Sequence, residues 1–394
     1  MTPSSFDVAI AGAGPGGSAT AISLLNQAPS LSVVLIEATR YDSYRVGEIL
    51  PPPARAILEH LRVWETFKSQ RHHEAYGTSA AWGDAHPHDN DFFFMPANIG
   101  WHLDRTAFDA MLANEAQRRG ATLILDTRVR DAQRTNSGWQ LRLSNGDAIA
   151  TRFVVDATGS AALARHCGAR FVEEDCLVGI AGFFDSCNGD RRTLVEAFAH
   201  GWWYTAGLPD SRRIVACMSD ADVARRMRLH EAKEWRRMLM TMPNVGATVG
   251  KAEVAEHVII RSASSRRLEP VTGDGWLAAG DSASRFDPLS SQGIVKALRS
   301  GIFASYAITD LLERGDHNGL KRYSRYVCEE FKSYSEIRQK YYREEKRWPA
   351  SEFWQRRQGI IDDPQTLNNP ESRDNINAWG TLFTLEERRS TKSH

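Results

Sequence analysis

The sequence predicts an α/β protein in which a parallel sheet is interrupted by an antiparallel one and followed by helices. Residues 6–11 read as a strand, 14–27 as a helix and 33–36 as a second strand, an opening that calls for a βαβ unit and a parallel sheet. The turn between the first strand and the helix is Gly12-x-Gly14-x-x-Gly17, the spacing of a Rossmann-like nucleotide turn. From 170 to 265 the pattern changes to short β-rich runs (171–184, 194–208, 213–219 and 252–262) with one helical stretch at 220–241. This reads as an antiparallel sheet inserted between two parts of the first domain.

The other elements follow in order. Residues 41–53 end in three prolines, which a helix interior would not tolerate, so they are irregular. A helix is expected over 54–67, and residues 70–100, rich in His, Asp, Gly and aromatics, read as loops and strands of another layer. Residues 105–119 form an amphipathic helix with Phe108, Met111, Leu112 and Ala116 on one stripe. Strands are expected near 122–126, 137–143 and 152–156, and the run Gly275 to Gly280 is a buried strand returning to the first sheet. A long helix runs from Gly293 to 313; beyond 320 the chain is helical and rich in charges and aromatics, and its polar last ten residues fray. The expected parts are a discontinuous nucleotide domain (1–70, 101–165 and 266–320), a second domain (71–100 and 166–265) and a helical C-terminal region (321–394).

Composition excludes several classes. With 394 residues, 42% hydrophobic and 25% charged, the chain can bury a sizeable core and is not disordered. Lys+Arg and Asp+Glu are both 49, so no cation surplus exists for a nucleic-acid backbone. No apolar run approaches the ~18 residues of a membrane span, and no basic-then-apolar leader precedes the first strand. Five cysteines (167, 176, 187, 217 and 328) contain no CxxC and suit a reducing, cytoplasmic location without a zinc site.

The glycine turn has a physical reading. Gly12 permits the tight turn, Gly14 lets a pyrophosphate approach the backbone, and Gly17 lets the helix pack on the strand. Pro15 and Gly16 lie between them, and the helix start offers unpaired N–H groups to phosphate. Glu37 ends the second strand, where a carboxylate can accept both ribose hydroxyls and would repel a 2′-phosphate, which favours FAD or NAD over NADP.

Further motifs carry a resemblance. Asp104-Arg105-x-x-Phe108-Asp109-x-x-Leu112 resembles the Asp-Arg helix of aromatic-ring flavin monooxygenases, and Val155-Asp156-Ala157-Thr158-Gly159 resembles their strand beside the adenosine. Gly280-Asp281-Ser282-Ala283 resembles their second flavin motif, and Asp287-Pro288-Leu289-Ser290-Ser291-Gln292-Gly293-Ile294 resembles the loop that enters a helix below the isoalloxazine. The resemblance implies a p-hydroxybenzoate hydroxylase-like fold: a Rossmann-like FAD-binding domain, an inserted antiparallel substrate domain and C-terminal helices. It implies FAD bound by Gly12, Gly14, Pro15, Gly16, Gly17, Glu37, Ala38, Arg45, Arg105, Val129, Gly159, Gly280, Asp281, Pro288, Gln292, Gly293 and Ile294. Only one dinucleotide fingerprint is present, so a resident nicotinamide domain is absent, and the external reductant, NAD(P)H or reduced flavin, either visits the flavin transiently or is delivered otherwise; the resemblance implies O₂ as the co-substrate.

Two segments narrow the branch. Val46-Gly47-Glu48-Ile49-Leu50-Pro51-Pro52 resembles a loop of the halogenase-like branch. Gly201-Trp202-Trp203-Tyr204, followed by Leu208-Pro209, lies where tryptophan halogenases carry Trp-x-Trp-x-x-Pro, but here the tryptophans are adjacent. No counterpart of the halogenase lysine is found; Lys68 lies in the right half of the chain but in no matching motif. With DPLSSQGI, these segments most resemble the maturation flavoproteins of cysteine tryptophylquinone enzymes (lysine oxidase, glycine oxidase, quinohemoprotein amine dehydrogenase). That implies a monooxygenase that hydroxylates, through a flavin C4a-hydroperoxide, a tryptophan of a partner precursor subunit. The alternatives are a monooxygenase of a small aromatic molecule, a flavin-dependent halogenase, and a non-catalytic flavin-containing assembly chaperone.

Glu48, His102 and Asp287 are the candidates for proton handling, although Glu48 can equally hold its loop, His102 neighbour the Arg105 helix, and Asp287 cap the following turn. Trp202, Trp203 and Tyr204 are the substrate-facing candidates; adjacent strand residues point to opposite faces, so one tryptophan can be core while the next lines a cleft. His72, His73, His86 and His88, with Asp84, Asp89 and Asp91, match no metal spacing and read as a solvated loop, so no metal is expected. Aromatics among the charges of 323–358 either dock a partner or cover the core.

Overall fold

The computed structural model describes residues 4–95, 98–185, 191–209, 211–250, 252 and 258–361. Cys187, residues 253–257 of one expected strand run and the polar end of the chain lie outside these. The chain divides into two compact units, one of residues 1–74, 92–172 and 266–335, the other of 75–91, 173–265 and 336–394. Residues 92–100 thus belong to the first unit rather than the second domain, and the expected C-terminal region is shared between the two.

The first unit is built on a mixed sheet, eight-stranded among the described residues, in the order Thr272–Gly273, Trp276–Ala278, Ala148–Asp156, Ser4–Ala11, Val33–Ile36, Thr122–Ile124. Ser4–Ala11 is parallel to Ala148–Asp156 and to Val33–Ile36, while the hairpin Val129–Thr135 and Gly138–Leu143 joins antiparallel. The inner strands are buried, which suits their continuous apolar runs. Pro15 sits at the first position of the helix Pro15–Gln27, where its missing N–H costs nothing. The helix Arg105–Arg118 is capped by Asp104, whose side chain accepts from the Ala107 N–H. The long helix Gly293–Arg314 ends on Gly315 at φ 67°. It crosses the first helix closely: a Cβ on Gly301 would lie 2.4 Å from the Gly16 carbonyl oxygen.

The second unit carries a sheet, seven-stranded among the described residues, in the order Ile259–Ser262, Leu177–Phe184, Arg213–Asp220, Gly201–Gly207, Arg192–Phe198, Gly77–Ala81, His88–Asp91. Its pairs are antiparallel except Arg192–Phe198 with Gly77–Ala81. Trp203, Phe198, Phe184 and Trp235 form its apolar core.

Two expected helices are each broken in two. The stretch 54–67 is Ala54–His60 and Trp64–Ser69, separated by Arg62 at φ 57°, and 220–241 is Ala221–Arg226 and Ala232–Leu239, separated by Arg228 at φ 56°. Arginine in the left-handed region ends each first helix, a conformation that residue type does not advertise. The run 171–184 is likewise two strands, Arg170–Glu173 and Leu177–Phe184.

Candidate active site

The first unit gathers the motif residues around the glycine turn. Gly12 has φ 99°, and a Cβ there would sit 2.3 Å from the Ala157 carbonyl oxygen; one on Gly17 would sit 1.9 Å from the Gly12 carbonyl oxygen. Gly16 packs on Gly280, at 2.9 Å from a would-be Cβ to the Gly280 Cα. Gly14 differs: a Cβ there would meet nothing within 4 Å, and the helix it precedes has no side-chain cap. Gly293 shares both properties at the start of the long helix. Two uncapped helix starts, each approached past a glycine, suit an anionic ligand of dinucleotide type.

Glu37 is buried and does more than await a ribose. Its Oε2 accepts from the Ala13 N–H at 2.9 Å, while Oε1 accepts from the Thr39 hydroxyl at 2.7 Å and from Arg45 at 2.9 Å. The remaining accepting capacity is mainly that of Oε2, so a ribose meets one free acceptor rather than a whole carboxylate. Arg45 also donates to Asp109 at 2.8 Å. Burial opposes the Arg45 charge, but Asp109 and Glu37 outweigh it and hold the pKa up. Ala38 follows Glu37, and Thr127, two residues before Val129, donates its N–H to the Glu37 carbonyl. Arg105, expected at a diphosphate, is engaged elsewhere: it pairs with Asp109 at 3.1 Å and donates to the carbonyls of Val46 and Gly47, each at 2.9 Å. It therefore ties down the loop before Glu48.

On the other side, Asp156 organises the strand end. It accepts from the Ser282 hydroxyl at 3.0 Å and from the N–H groups of Leu163 and Ala164. Ser282 in turn accepts from the Gly159 N–H at 2.8 Å. The Gly159 carbonyl accepts from Arg266 and Arg285, both at 3.2 Å. Asp281 is 45% exposed and pairs with the fully buried Lys296 at 2.8 Å. Loss of water contact opposes its ionisation, but Lys296, then Arg285 and Arg266, keep its pKa below the ordinary carboxylate value. Pro288 lies in the turn Pro288–Ser290, followed by Ser291 at φ 51°, Gln292, Gly293 and the buried Ile294.

Glu48 and His102 are both buried, on or beside paired strands: Ile49 is opposite His102, and the Leu103 N–H donates to the Glu48 carbonyl at 2.8 Å. Asp287 is also buried, and its carboxylate caps the next turn by accepting from the Leu289 N–H at 2.9 Å. Its own N–H donates to the Tyr334 hydroxyl.

In the second unit, the substrate-facing role expected of the tryptophan pair conflicts with their packing. Trp203 is enclosed against Trp235 and Phe198, and Trp202 against Trp82, its indole N–H donating to the Tyr342 hydroxyl at 3.0 Å. Tyr204 shares the Trp202 face and is also buried. The alternation is as strand geometry requires, but both faces are core. Tyr342, Phe353 and Trp354 are likewise packed in this unit, while Tyr334 stacks on Phe286 at 3.9 Å in the first.

His72 is buried in the first unit between Gln70 and the Asp104 N–H, whereas His86 is exposed beside Asp84 in the second. Among the described residues, Cys176, Asp220 and Asp222 have metal-like spacing, but Arg356 and Arg357 neutralise those carboxylates. Lys296, Ser282, Arg266 and Asp109 are participants that sequence reasoning missed as site residues. Asp109 and Ser282 stood inside the quoted motifs, and Lys296 left a trace as a lysine among apolar neighbours at 294–298.

Comparison with known proteins gives the family and the fold. The family model for tryptophan halogenase matches residues 70–384. The chain is 28% identical over 362 residues to the FAD-dependent oxidoreductase LodB of Marinomonas mediterranea, covering 90% of this chain and 97% of that one. The crystal structure of CmlS, a flavin-dependent halogenase, superposes with a TM-score of 0.80 at 25% identity, covering 99% of this chain and 72% of that one. The peptidyl tryptophan dihydroxylase QhpG, essential for tryptophylquinone cofactor biogenesis, gives a TM-score of 0.72 at 25% identity over 93% of this chain and 81% of its own. The cradles at Gly14 and Gly293 fit FAD, and the chain belongs to the tryptophan halogenase family of FAD-dependent oxidoreductases.

Proposed function

We propose that this chain is a monooxygenase that hydroxylates a tryptophan ring in a partner protein, a precursor subunit on its way to a tryptophylquinone. The observation that carries this reading is the likeness to a peptidyl tryptophan dihydroxylase over nearly the whole chain. Halogenation is ranked second because no counterpart of the halogenase lysine is recognised in the sequence; Lys68, which matches no such motif, lies on the helix Trp64–Ser69 and pairs with Glu65 at 2.7 Å.

The residues that would hold FAD are the turn Gly12 to Gly17, Glu37, Asp281 and the helix start at Gly293. Reduced by an external donor, NAD(P)H or reduced flavin, FAD supplies the activation of O₂. Overall, one ring C–H becomes C–OH, the second oxygen atom leaves as water, and the donor gives up two electrons. The helix start at Gly293 favours negative charge on whatever lies before it. Buried Glu48, just before the strand Ile49–Leu50, and His102, on the strand paired with it, are the groups we assign to proton handling; Asp287 acts as the cap of its turn.

The test is to incubate the purified protein with NADH or NADPH, a flavin reductase, O₂, chloride and bromide, and a precursor subunit of a tryptophylquinone enzyme. A mass gain in multiples of one oxygen on a precursor tryptophan is expected. Halogen on a tryptophan or a free aromatic would establish the halogenase reading instead. Binding without any mass change would favour a chaperone.

A further inference from the structure

Lys296 is the fully buried lysine of the first unit, and three contacts converge on its ammonium. It donates to Asp281 Oδ1 at 2.8 Å and to the Ser284 carbonyl oxygen, and it lies 5.5 Å from the Phe286 ring. Phe286 is itself fixed by stacking on Tyr334. One side chain from the long helix thus pins the loop between Trp276–Ala278 and that helix at three points, while Asp281 keeps part of its carboxylate exposed. The surroundings do not demand a lysine for packing: Ile294, Val295, Ala297 and Leu298 are buried beside it. Replacing a buried ion pair by apolar groups is often neutral or stabilising, so stability alone does not explain an ammonium here.

We propose that Lys296 is a positioning residue, which holds one oxygen of Asp281 so that the exposed part of that carboxylate is presented to FAD in a single orientation. The proposal rests on the cofactor reading above. It assigns the loop a rigid frame before the cofactor arrives, so less conformational freedom is lost on binding.

A double-mutant cycle on FAD affinity tests it, read by flavin fluorescence titration of the apoprotein together with its thermal melt. Lys296→Met and Asp281→Asn are each expected to weaken FAD binding about tenfold or more, and the double variant no further than the weaker single, because both changes remove one interaction. The double variant's apoprotein, in which the pair is removed as a whole, should melt within a few degrees of wild type. Multiplying losses in the double variant, or wild-type affinity in Lys296→Met, would overturn the proposal. If Lys296→Met does not fold, Lys296→Arg takes its place, because a guanidinium cannot reproduce the single-point ammonium contact: coupling to Asp281→Asn supports the proposal and additivity overturns it. A wild-type protein that takes up no FAD would instead overturn the cofactor reading, and the proposal with it.

Discussion

The glycines of the opening turn are not equivalent. Gly17→Ala drives a methyl to within 1.9 Å of the Gly12 carbonyl oxygen, so the backbone must move; a loss of several kcal/mol is expected, visible as a lower urea midpoint without FAD. At Gly14 a Cβ would meet nothing within 4 Å and φ is an ordinary −73°, so Gly14→Val has room at its branch point. Its apoprotein should unfold as wild type does, yet its FAD affinity should fall about a hundredfold or more because the side chain fills the phosphate approach. Yellow Gly14→Val protein would sink the assigned turn. Trp203→Ala, emptying a fully buried site, should cost about 3–5 kcal/mol in chemical denaturation and leave FAD affinity unchanged; a loss confined to turnover would show that Trp203 lines a cleft after all. His72 predicts a pH dependence. Burial, only partly offset by Asp104, lowers its pKa from 6.5 to about 4. The unfolded chain therefore takes up this proton first as the medium is acidified. Stability present above pH 6.5 is lost as pH falls toward 4, by about 3 kcal/mol at most. His72→Gln should lose less stability than wild type between pH 7 and 4.5 in urea titrations.

At the scale of elements, legibility followed locality. The glycine turn, the Asp104-capped helix and the long helix ending at Gly315 were readable because each is specified by residues a few positions apart. The breaks at Arg62 and Arg228 were not, since nothing local marks an arginine with positive φ. Nor was the link of Glu37 to Arg45 and onward to Asp109, which spans 64 residues between the last two. The role of the GWWY run was read from family position, which carries no information on burial, and Trp202, Trp203 and Tyr204 are all buried. The short helix Glu352–Arg357 shows how long-range charge holds an element: Arg356 reaches Asp220 at 2.9 Å and Asp222 at 2.8 Å, and Arg357 reaches Asp220 at 2.7 Å. Asp220 is fully buried, so replacing both arginines by Met strands its charge and should cost about 3–5 kcal/mol by denaturant titration. A change below about 1 kcal/mol, the size of exposed pairs, would mean that packing of Phe353 and Trp354 alone docks this helix.

At the scale of the molecule, the two units differ in what the cofactor can do for them. Gly14, Glu37, Asp281 and Gly293, the residues assigned to FAD, all belong to the first unit. A ligand held by the folded form alone stabilises it by RT ln(1 + [L]/Kd), about 2.7 kcal/mol at a hundred times Kd. That increment falls on openings that release the ligand and not on openings elsewhere. Hydrogen exchange should therefore slow by about a hundredfold on saturation with FAD at the central strands Ser4–Ala11 and Ala148–Asp156 of the first unit. The amides of Gly201–Gly207 and Arg213–Asp220 in the second unit should exchange at their former rate, because those strands have their own core around Trp203 and Trp235. Slowing confined to the second unit would place the cofactor away from the glycine turn, and slowing by one factor throughout would mean that the units open only together.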